Sequence, residues 1–109
     1  MPIPPLSEQQ RRLAREAAAQ ARRRRAEVKR RLRDGELSID EVLDLAAADE
    51  VVAHTKVVDI LKAQPRVGDV RAGKVMDRLR IAPNRRLRGL GSNQIDGLKR
   101  EFGDEEPQS

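Results

Sequence analysis

The sequence predicts an all-α fold, with a long N-terminal helix followed by a compact bundle of short helices. Three observations predict it. Two capping boxes, Ser7 with Gln10 and Ser38 with Glu41, each precede a run of strong helix formers. Apolar residues recur at helical spacing between Pro and Gly breaks. No segment alternates polar and apolar residues as a half-buried strand does.

The elements follow in chain order. Residues 1–6 contain three prolines and read as a flexible leader. Helix formers then run from Glu8 to Asp34, with Gly35 as a stop, so residues 7–34 form one long basic helix of about 42 Å. Leu13, Ala17, Ala21, Val28 and Leu32 gather on one side of it. That stripe is narrow and rich in Ala, so much of the helix is expected to project from the body or lie lightly on it.

Residues 38–102 form the globular domain. The Ser38 box opens a helix to about Ala48, with Val42, Leu45 and Ala46 inward, and Asp49–Ala53 adds one turn. Lys56–Ala63 is a helix with Val57, Ile60 and Leu61 inward, and Pro65 ends it. Val67–Leu79 is the next, with Gly68 in its first turn and Val67, Val70 and Val75 fixing it to the body. Pro83 and Asn84 break the chain, and Leu87–Leu90 forms a turn with Leu87 in the core. Ser92–Phe102 is the last helix, carrying Ile95, Leu98 and Phe102. Residues 103–109 read as a disordered acidic tail.

Charge is strongly segregated. The chain has 23 Lys and Arg against 18 Asp and Glu, a net +5. Residues 11–33 hold eleven basic and two acidic groups, residues 34–65 two basic and eight acidic, and residues 66–88 eight basic and two acidic. A polyanion partner would meet the two basic blocks. The absence of Cys excludes zinc fingers, iron–sulfur sites and thiol nucleophiles, and fits a reducing compartment. His54 is the single histidine, so it has no co-ligand of its own type for a metal. No apolar run approaches a membrane span and no secretory signal opens the chain, so a cytoplasmic protein with no membrane partner is expected.

Two stretches carry chemistry. In Gln64-Pro65-Arg66-Val67-Gly68-Asp69-Val70-Arg71, followed by Lys74, a helix begins beside a glycine. The free amides and the positive end of the helix dipole there make a phosphate cradle, ringed by Arg66, Arg71 and Lys74. In Asn84-Arg85-Arg86-Leu87-Arg88-Gly89-Leu90-Gly91-Ser92-Asn93-Gln94, three arginines surround a leucine anchor. The amides of Gly91, Ser92 and Asn93 offer a second anion site, and guanidinium forks suit phosphate. On the long helix Arg22, Arg23, Arg25, Lys29, Arg30 and Arg33 form a candidate second polyanion-binding surface, against the alternative of a solvated face.

At these residues the chain resembles the actinobacterial integration host factors, from about Pro5 to Gly103. The resemblance rests on Arg24-Arg25-Ala26-Glu27-Val28-Lys29, Lys56-Val57, Pro65-Arg66-Val67-Gly68 and, most specifically, the run from Arg85 to Gln94. It implies a helix–two-turn–helix motif, as in some DNA glycosylases and a small ribosomal protein. It also implies a nucleoid-associated protein that binds duplex DNA with little sequence preference, bends it, alters supercoiling and assists phage integrases. Residues 64–71 and 82–94 would both touch DNA. The chain departs from the family at Asp69, where a basic residue is usual, and in the arginine richness of its long helix.

Other functions fit less well. With Met1 removed, Pro2 would be the N-terminal amine, and some helix–two-turn–helix glycosylases use an N-terminal proline as nucleophile, but a helical chain of 109 residues leaves no room for a base-flipping pocket. Asp40/Glu41 and Asp49/Glu50 are sequence neighbours and do not face each other on a helix, so no catalytic dyad is expected and the protein is read as non-enzymatic, without cofactor or metal. One aromatic residue, Phe102, cannot supply the stacking platform of single-strand binders. Duplex DNA is therefore the expected partner, with phage integrase complexes a further one. A basic RNA- or ribosome-associated protein is the alternative. No exposed apolar seam is read, so a monomer is expected.

Overall fold

The computed structural model describes residues 7–102; the leader and tail expectations, 1–6 and 103–109, lie outside them. Six α-helices and one 3-10 turn follow in order: α1 Glu8–Arg33, α2 Ile39–Ala46, α3 Glu50–Ala53, α4 Val57–Ala63, α5 Asp69–Arg78, the turn Leu87–Gly89, and α6 Ser92–Phe102. The fold is all-α. The described residues hold no strand, only one isolated antiparallel bridge between Lys56 and Arg86.

Both capping boxes form. Ser7 Oγ accepts from the Gln10 amide at 3.0 Å, and Ser38 Oγ from the Glu41 amide at 3.1 Å, with the return bonds also made. At the far end of α1, Gly35 takes φ +79°, and the Glu36 and Gly35 amides close onto the Arg31 and Leu32 carbonyls. This is a Schellman stop, which needs a left-handed residue there. The same stop ends α5, with Ile81 N–H on Met76 O, but Arg80 takes the left-handed position at φ +60°.

Val28 and Leu32 are the buried residues of α1; everything from Glu8 to Ala18 is exposed, Leu13 included. The helix therefore packs by its C-terminal half on α3 and α4, and its N-terminal half projects. The body closes around Ile39, Val42, Val52, Val57, Ile60, Leu61, Val75, Met76, Ile81, Leu87, Leu98 and Phe102.

Several boundaries and faces differ from the sequence reading. The second helix ends at Ala46, with Leu45 and Ala46 only partly buried. α5 begins at Asp69, so Gly68 is its N-cap and lies outside the first turn. Val70 lies on the side of α5 away from Ala72, Val75 and Met76, is 71% exposed, and fixes nothing to the body. Ala72, Val75 and Met76 hold α5 instead, and Val67 is buried ahead of the helix. Lys56 caps α4 in extended conformation because it is spent on the bridge to Arg86.

Candidate nucleic-acid interface

The loop from Asn84 to Leu90 is held from beneath. Val57 N–H donates to Arg85 O at 2.9 Å and Leu87 N–H to Thr55 O at 3.0 Å, pinning it to the segment before α4. Leu87 is buried and anchors the turn, while Asn84, Arg85, Arg86 and Arg88 are exposed around it. Each arginine is steadied by a neutral acceptor: Arg85 by Gly89 O at 3.1 Å, Arg86 by His54 O, and Arg88 by His54 Nε2 at 3.0 Å. None of the three pairs with a carboxylate among the described residues, so their charge is positioned without being neutralised.

The start of α6 is less open than its sequence suggests. Gln94 Oε1 accepts from Gly91 N–H at 2.9 Å and Gln94 Nε2 donates to Arg80 O at 2.9 Å. Gln94 therefore stitches the loop to the end of α5, and the Gly91 amide is spent. The amides left at this anion site are those of Ser92 and Asn93.

At Gln64–Val67, Val67 N–H donates to Gln64 O at 3.2 Å, with Pro65 second in the turn and Arg66 third at φ +68°. That is the type II pattern, in which the third position favours glycine. Arg66 holds a left-handed backbone that costs about 1 kcal/mol or more. Around it, the expected ring of cations is only partly assembled. Lys74 and Arg66 are exposed. Arg71 lies 5.2 Å above the Phe102 ring and 3.8 Å from Glu101, which also pairs with Arg78. Asp69 pairs with Lys62 at 3.0 Å, and that hydrogen bond raises the pKa of the Lys62 ammonium.

The long helix reaches the same side of the molecule. Arg25 and Lys29 of α1 line a cleft of about 330 Å³ together with Lys56, Arg86 and Asp59. Lys29 and Arg33 line a second, of about 310 Å³, with Asp59 and Lys62. Thus four of the six cations expected on α1 are sorted by geometry: Arg25, Lys29 and Arg33 face this groove, while Arg30 is tied to Asp34 at 2.8 Å and Glu36 at 3.4 Å. Arg22 and Arg23 stand exposed further along the arm. Sequence reasoning missed Lys56, Lys62 and His54; their roles depend on long-range packing that no local pattern announces.

The comparisons with known proteins agree with this geometry. The S13-like H2TH domain family matches residues 32–102. The integration host factor of Streptomyces coelicolor is 50% identical over 103 residues, 94% of this chain and 96% of that one. The integration host factor of Mycobacterium tuberculosis is 48% identical, covering 94% and 98%.

The chain belongs to the actinobacterial integration host factor family.

A solved integration host factor structure, sIHF bound to an 8bp palindromic DNA, superposes with a TM-score of 0.78 at 51% identity, covering 81% of this chain and 99% of that one. No helix among the described residues is long and apolar enough to cross a membrane.

Proposed function

We propose that this integration host factor is a nucleoid-associated architectural protein, without enzymatic activity, that binds duplex DNA through the phosphate backbone with little sequence preference. The observation that carries it is the treatment of its cations. Arg24, Arg30, Arg31, Arg71 and Arg78 are matched with carboxylates, whereas Arg85, Arg86 and Arg88 are held on neutral acceptors and keep their charge. Guanidinium groups presented this way suit phosphate oxygens.

Arg86 joins Arg25, Lys29 and Lys56 in one cleft, so the loop and α1 supply a single backbone track. Gln64–Arg71 with Lys74, and Asn84–Gln94, form the helix–two-turn–helix contacts, with Gln94 and Leu87 supporting from within. Cations on a rigid body and on a projecting helix suit a curved duplex, and so bending, nucleoid organisation, transcription regulation and assistance to phage integration in the cytoplasm. The related sIHF bound to DNA supports the choice of ligand.

The test is fluorescence anisotropy on a labelled duplex of about 25 base pairs across a salt series. If about six phosphates are engaged, log K falls with a slope near −5 in log salt. The triple variant Arg85→Ala/Arg86→Ala/Arg88→Ala should lose both affinity and slope. Absent binding at low salt, or equal preference for structured RNA, would overturn the reading.

A further inference from the structure

His54 ends α3 in a position where one residue holds two of the loop arginines. Its carbonyl accepts from Arg86 Nη1, and its ring Nε2 lies 3.0 Å from Arg88 Nη1. The tautomer follows from the other side of the ring. Nδ1 lies 2.8 Å from the Glu50 carbonyl oxygen, which can only accept, so Nδ1 carries the proton. The lone pair of a neutral ring is then on Nε2, aimed at the Arg88 guanidinium. The Glu50 carboxylate stands 3.8 Å from Nδ1 and favours the same orientation.

We propose that His54 is a positioning residue for duplex binding, fixing the Arg88 guanidinium through Nε2 before DNA arrives. Arg88 spends one of its five N–H groups on the imidazole and keeps four for phosphate. The acceptor is uncharged, so the cation is ordered without being neutralised. A free arginine on a loop must be immobilised on binding, and His54 removes part of that entropic cost in advance. Arg86 needs no such side chain, because its partner is the backbone of the same residue. The inference rests on the proposed reading that the loop binds duplex DNA.

A double-mutant cycle tests it. Duplex affinity is measured for wild type, His54→Ala, Arg88→Ala and the pair. His54→Ala should weaken binding about threefold to tenfold in the wild-type background and have no effect when Arg88 is absent. His54→Gln, whose amide oxygen reaches the place of Nε2, should restore most of the affinity. The His54 side chain is 43% exposed and outside the apolar core, so these variants keep the fold. Equal losses from His54→Ala in both backgrounds would overturn the positioning role, as would no loss in either. If Arg88→Ala itself binds like wild type, the loop reading fails first, and the inference falls with it.

Discussion

Arg24 and Asp49 meet at 3.1 Å, Nε to Oδ2, and this contact joins the long helix to the shortest one. Asp49 is also the N-cap of α3, accepting from the Val51 and Val52 amides at 2.9 and 3.3 Å. The pair sits where α1 leaves the body, one residue before Arg25 of the basic cleft. It thus fixes the angle at which the arm presents its cations.

The Asp49 carboxyl feels opposing influences. Burial raises its pKa, but the Val52 amide, the Arg24 guanidinium and the Val51 amide together hold it below the usual 3.8. A depressed folded-state value means the stabilisation is complete above the unfolded value and is lost as pH falls through the folded one. Asp49→Ala should cost about 1–2 kcal/mol at neutral pH, from the cap and the ion pair together. Asp49→Asn keeps a capping oxygen and should cost under about 1 kcal/mol. Thermal melts from pH 7 to about 2 should show a shallower acid loss in both variants than in wild type.

Leu87 anchors the arginine loop, and its contribution separates from theirs. It is 5% exposed, so Leu87→Ala should lower stability by about 2–4 kcal/mol. Arg88→Ala, on an exposed side chain, should stay within about 0.5 kcal/mol of wild type. Denaturant titration of the two variants checks the contrast. A cheap Leu87→Ala would mean that the hydrogen bonds from Val57 and Leu87, not the side chain, hold the loop.

Asp69, at the start of α5, pairs with Lys62 at 3.0 Å. It neutralises Lys62 beside the Gln64–Arg71 segment. Asp69→Asn should free that lysine and remove a carboxylate from the start of α5. Duplex affinity at low salt is then expected to rise about threefold, with a steeper salt slope. An unchanged slope would place Lys62 and the 64–71 segment away from the DNA.

Much of the fold was legible because helix ends carry local chemistry. Ser7, Ser38 and Gly35 each do in space what their sequence neighbours require, and Leu87 occupies the core as its basic flanks suggested. What escaped was set by packing across the chain. Ala72, Val75 and Met76 set the buried side of α5 and leave Val70 outward, and two left-handed arginines, Arg66 and Arg80, stand where glycine is usual. The bridge from Lys56 to Arg86 brought His54 under the loop, across thirty-odd residues that no periodicity links. In the same way, the arginines of α1 look equivalent along the helix. Their division into paired and unpaired groups is partly local: nearby carboxylates pair Arg11 with Glu8, Arg24 with Glu27 and Arg30 with Asp34, but the tie from Arg24 to Asp49 is made only by the packing of α1 on α3.

That division gives the sharpest test of the long helix. Arg25 and Lys29 line the cleft with Arg86, Arg30 is spent on Asp34 and Glu36, and Arg12 and Arg15 lie on the exposed arm. If the duplex backbone follows the cleft, Arg25→Ala/Lys29→Ala should flatten the salt dependence by nearly two, since each phosphate contact contributes about 0.9. Arg30→Ala should change the slope little, because that guanidinium is already paired. Arg12→Ala/Arg15→Ala removes the same charge as the first pair from the far end of α1, where neither guanidinium meets a carboxylate among the described residues. Equal losses from the two double variants would point to diffuse attraction along the whole helix, and a loss confined to Arg25 and Lys29 would locate the track beside the loop.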